Sequence, residues 1–152
     1  LDTWHATALD AQQKTVALFI NQVSEFCLIS EISGKISLEN AVSLFINALN
    51  EQLKENSAIN QYHHTFDHKI KHGVTFTKGS ESEVHWIVSA IEKLLMENPE
   101  LAKDTARLSH KINNSEFPEL KFHTPTQKLS LTLVSLPHDE NKKGPSKMGL
   151  HF

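Results

Sequence analysis

No proline interrupts the first 98 residues of this 152-residue chain; all five prolines lie at or beyond Pro99. Proline removes a backbone donor and is excluded from the interior of regular elements, so its absence permits long uninterrupted segments early in the chain. The first such segment covers residues 3–32. On a wheel of about 100° per residue, Trp4, Ala8, Ala11, Thr15, Leu18, Phe19, Phe26 and Ile29 form one stripe, and Leu9, Val16, Ile20, Val23 and Cys27 a second beside it. Read as a helix, whole or broken, this segment is apolar over most of its circumference. That predicts a central helix, or one that lines a homo-oligomer contact, ending near Gly34.

Four further helices are predicted before residue 114. Ser37 is a good N-cap for a second helix reaching about Lys54, with Leu38, Ala41, Val42, Phe45, Ala48, Leu49 and Leu53 on one face. A third covers residues 57–72, with Ile59, Tyr62, Phe66 and Ile70 on one side and Gly73 ending it. Ser80-Glu81-Ser82-Glu83 offers a capping box to a fourth, in which Val84, Ile87, Val88, Ile91, Leu94 and Leu95 recur at helical spacing. Asn98-Pro99-Glu100 places a cap, a first-turn proline and an acid in the order that starts a fifth. Leu101, Thr105, Leu108 and Ile112 carry that helix to Asn113-Asn114.

Beyond Ser115 the prolines at 118, 125, 137 and 145 argue against long helices. Leu129, Leu131 and Leu133 alternate with Ser130 and Thr132, a strand pattern whose natural partner is the alternating Val74-Thr75-Phe76-Thr77. The expected fold is therefore mainly α, a four- to five-helix bundle with a small two-stranded β element and an extended C-terminal tail. Its divisions are a helical bundle over residues 1–114, an extended segment packed on it over 115–137, and a loosely ordered basic tail over 138–152.

Charge narrows the partners. Residues 1–100 hold seven Lys against thirteen Asp and Glu, whereas residues 101–152 hold eight Lys and Arg against five acids. A mildly basic end on an acidic body, without an arginine-rich or aromatic-interleaved stripe, argues against nucleic acid. No apolar run approaches the roughly 18–20 residues of a membrane span. The single cysteine, Cys27, rules out an internal disulfide framework and fits a reducing compartment. An intracellular domain is expected, or an effector delivered into a cell. Because the chain opens on Leu1 rather than Met, it is read as processed or as part of something longer, and the lack of a signal peptide carries no weight. Asn113-Asn114-Ser115 matches a glycosylation acceptor triplet, a pattern common by chance.

Two places invite a functional reading. In the run from Tyr62 to His72, His64 and His68 have the i, i+4 spacing that lets two imidazoles reach one ion, and His72 continues the line. Asp67, Glu81, Glu83 or His85 could complete a zinc or iron sphere. With Ile59 at zero, however, the three histidines fall opposite the apolar side, where a solvated face is the bland explanation. His63 and Asp67 flank the apolar stripe as a half-buried structural pair. The zincin pattern fails because Thr65 stands where its Glu would be, and no nucleophile elbow or phosphate-binding glycine loop is present. Cys27, among Val23 and Ile20, reads as a buried, inert thiol.

The second place is the fourth helix, where Trp86 points away from the apolar stripe. Such a side chain is either packed under the C-terminal segment or offered to a partner, where tryptophan is an enriched anchor. Together these features favour a helical protein–protein interaction module (an adaptor, regulator or effector domain) using Trp86, His85, Ser89 and Lys93. The alternative is a metal-dependent enzyme or metal-binding protein built on residues 63–72 through His64, His68 and His72. No catalytic residue is assigned, and no cofactor is expected beyond that zinc or iron.

Overall fold

The computed structural model describes residues 3–11, 14–32, 38–77, 81–121 and 123–135. The segment read as a first helix is instead three strands: β1 (Thr3–Ala11), β2 (Lys14–Asn21) and β3 (Cys27–Ile32). They form an antiparallel meander whose register runs from Trp4 opposite Asn21 to Ala11 opposite Lys14, and from Ile20 opposite Cys27 to Thr15 opposite Ile32. A fourth strand, β4 (Thr75–Thr77), lies parallel to the start of β1, giving the order β3-β2-β1-β4.

Helices flank both faces of this sheet. On one face, α1 (Leu38–Glu55), α2 (Ser57–Asn60), α3 (His63–His72) and α6 (Pro125–Ser135) cover Trp4, Ala17, Phe19 and Leu28. Edge-to-face aromatic contacts fill its centre, with Phe45 of α1 4.9 Å from Trp4 and 5.5 Å from Phe19. On the other face, α4 (Glu81–Glu97), a 3₁₀ turn (Pro99–Lys103) and α5 (Thr105–Asn113) cover Val16, Leu18, Ile20, Cys27 and Ile29. The mainly-α bundle is thus corrected to an α/β fold of three layers. The apolar excess of residues 3–32 is explained by two buried sheet faces, so it gives no ground for an oligomer contact through a first helix.

The turn between β2 and β3 is built by Asn21. Its Oδ1 accepts hydrogen bonds from the backbone of Val23 and Ser24 and from the Ser24 hydroxyl, while Glu25 takes the left-handed conformation at φ 63°. An asparagine that bonds forward to its own backbone is a turn device, which is what interrupts the apolar run here.

The helices expected between residues 37 and 114 are present, some with altered bounds. The third predicted helix is divided into α2 and α3, and Gly73 ends it at φ 120°, donating to the Lys69 carbonyl at 2.7 Å. The fifth begins later than expected. Asn98-Pro99-Glu100 starts only the 3₁₀ turn, and α5 is capped by Asp104, whose carboxylate accepts from Arg107 N. Ser37 and Ser80, the expected caps of α1 and α4, lie outside the described residues, as does the basic tail 138–152.

The strand expected at residues 129–133 is the middle of α6. Leu129 and Leu133, one turn apart, are buried, whereas Leu131 is 55% exposed. Thr124 and Gln127 form a reciprocal capping box: Gln127 N donates to Thr124 Oγ1 at 3.0 Å, and Thr124 N to Gln127 Oε1 at 2.8 Å. Pro125 occupies the first helical position, where its missing donor costs nothing. Val74–Thr77 does contribute a strand, but it pairs with β1.

Candidate functional site

The outer surface of α4 positions the residues singled out there. Ile87, Ile91 and Leu95 are buried against the sheet, which fixes the helix rotation and turns His85, Ser89 and Lys93 outward, all exposed. Met96, on the same side, is 79% exposed. Trp86 lies at the margin of this stripe and is half-buried. Its ring meets that of Phe117 edge to face, with centroids 4.9 Å apart. Phe117 precedes a 3₁₀ turn (Pro118–Leu120) and bridges to His123. The C-terminal segment thus braces Trp86 from one side. The expected cover from the C-terminal segment is present, and only the residue that supplies it, Phe117, 31 positions away in a stretch with no periodic signal, was not legible in the sequence.

The histidine-rich helix is arranged differently. Phe66 is buried and Tyr62 and Ile70 are half-buried toward the core, while His63, His64, Asp67 and His68 are all exposed. The half-buried His63–Asp67 pair is therefore corrected to two solvent-facing side chains. The His63 and His64 rings lie 4.0 Å apart with an interplanar angle of 38°. His72 is in the last turn of α3, with its side chain outside the described atoms. Among the described residues no group of three or more His, Cys, Asp or Glu already converges on one point.

Sequence reasoning missed a polar network at the β3 edge. The fully buried Asn113 of α5 presents its amide to that edge as a neighbouring strand would. Its Oδ1 accepts from Cys27 N at 2.8 Å and its Nδ2 donates to Cys27 O at 2.7 Å. One helical turn earlier, Ser109 Oγ accepts from Ile29 N at 3.0 Å and donates to the Thr105 carbonyl. Gln52 of α1 joins by donating to the Ala106 carbonyl at 2.7 Å. The edge strand is thereby closed by side chains rather than left open. Asn113 is also the first residue of the glycosylation triplet, and with its amide buried and engaged the folded chain offers no acceptor there.

Beside this network a cleft of about 80 Å³ is lined by Ser30, Asn47, Glu51 and Thr105. That is well below the roughly 300–1,000 Å³ of sites that enclose small organic ligands. Cys27 is fully buried, and desolvation, followed by the nearby Glu25 charge, pushes its thiol pKa well up, the reverse of what a nucleophile needs. On the inner strand β1 the buried His5 is hydrogen-bonded through Nδ1 to Thr77 Oγ1 at 2.8 Å, which ties β1 to β4. No helix among the described residues is long and apolar enough to cross a membrane. No protein-family model matches the chain, and no curated protein matches it.

Proposed function

We propose that the protein acts by macromolecular contact, holding a protein partner against the outer face of α4. The observation that carries this reading is the half-buried Trp86 braced by Phe117 at the margin of the exposed stripe His85, Ser89, Lys93 and Met96. A braced aromatic loses little side-chain entropy on binding, and small, polar and charged neighbours supply the hydrogen-bonding rim of a protein interface.

The test separates contact from folding. Ser89→Arg combined with Lys93→Glu changes two exposed positions, so circular dichroism and thermal midpoint should match wild type. Partners recovered from the native cell type are then compared between the two proteins, with Lys71→Glu on α3 as the control. Selective loss of one stoichiometric partner from the α4 variant is expected. Equal recovery of every partner refutes the assignment of this face.

A further inference from the structure

The outward side of α3 places a pair of metal-ligand side chains at chelating separation on a backbone already held by the core. His64 and His68 are one helical turn apart and both exposed. Side chains at this spacing leave Cβ atoms about 5–6 Å apart. Two imidazole nitrogens can therefore converge on one ion at their usual distance of about 2.0–2.1 Å. Phe66, buried between them in sequence, anchors α3 to the core, so the chelating geometry does not wait on an ion to form.

We propose that His64 and His68 form a bidentate surface site for a borderline divalent cation of the zinc type, bound through neutral imidazole nitrogens. Imidazole selects such cations over magnesium or calcium, which prefer all-oxygen spheres. Two protein ligands leave the remaining coordination positions to water or to a donor from outside the chain. The site is thus exchangeable, unlike a closed four-ligand structural centre. It lies on a different helix from the partner face of α4, and either assignment can fail without the other.

The experiment is calorimetric titration of zinc chloride into the tag-free full chain at pH 7.5, with circular dichroism on every variant. Wild type is expected to bind one zinc ion. His64→Ala and His68→Ala should each weaken binding by more than the roughly 10–100-fold that loss of an outer-shell partner costs. His110→Ala removes a histidine on α5, away from α3 and from the partner face of α4, and should leave zinc binding unchanged. Absence of binding by wild type overturns the proposal, as does unchanged affinity in either His64→Ala or His68→Ala. Should an alanine variant lose helix, the glutamine substitutions at the same positions supply the comparison, because glutamine keeps the helix and lacks the ring nitrogens.

Discussion

Replacing Asn113 by alanine tests whether α5 really serves as the missing neighbour of β3. The substitution strands the Cys27 N–H and C=O, which are bonded to the Asn113 amide at 2.8 and 2.7 Å in a fully buried setting. A buried backbone group left without a partner costs about 1–3 kcal/mol, so the two together cost about 2–6 kcal/mol. Water entering the vacated space can recover part of this, which brings the expected loss to about 2–4 kcal/mol. At about 2–4 °C per kcal/mol for a chain of this size, a 3 kcal/mol loss lowers the thermal midpoint by roughly 6–12 °C. Urea unfolding followed by circular dichroism measures it directly, as a lower midpoint at unchanged slope. Asn113→Asp adds a test of sign. The new carboxyl would be buried against the Cys27 carbonyl, so its folded pKa is raised above the unfolded value of about 3.9. The protonated form donates where the amide did; that stability is present below the unfolded pKa and is lost as pH rises through the folded one. The aspartate variant should therefore lie closer to wild type at pH 4 than at pH 7. A loss below about 0.5 kcal/mol for alanine, the usual effect of an exposed substitution, or equal deficits of the aspartate variant at both pH values, would refute the account.

Three other outcomes follow from the packing. Leu131→Lys should change stability by no more than about 0.5 kcal/mol, while Leu129→Ala costs about 2–5 kcal/mol. Equal losses at the two positions would put both on one face, as in a strand. Phe45→Ala removes the ring that Trp4, Phe19 and Phe76 all contact edge to face, and should cost about 3–5 kcal/mol by denaturant titration; an unchanged midpoint would misplace the core. Cys27 should resist a thiol reagent such as Ellman's in the native protein and react on unfolding, because burial holds it in the thiol form. Complete native labelling within minutes at pH 8 would contradict that burial.

The sequence by itself determined the helices that carry one apolar face. In α1 and α4 a buried side and a wet side alternate every 3.6 residues, and that period is written in the residues whatever the neighbours are. The outward stripe of α4 and the exposed side of α3 were legible for the same reason. The strands were not. In β2, Val16, Leu18 and Ile20 face one helical layer and Ala17 and Phe19 the other. Each successive residue is buried, and the period of two that marks a half-exposed strand is erased. The clues left in the residues were β-branched and aromatic enrichment in short runs and the polar punctuation near Asn21. Those clues weigh less than a wheel that can be filled from almost any dense apolar segment. At α6 the local signals conflict. The alternation of three leucines suggests a strand, whereas the capping box of Thr124 and Gln127 with Pro125 just upstream starts a helix. Tertiary structure alone decided the contacts made across long separations: Asn113 on Cys27, 86 positions apart, and Phe117 on Trp86. Such contacts exist only after the layers have packed, because each answers to a backbone edge or ring that no local pattern places.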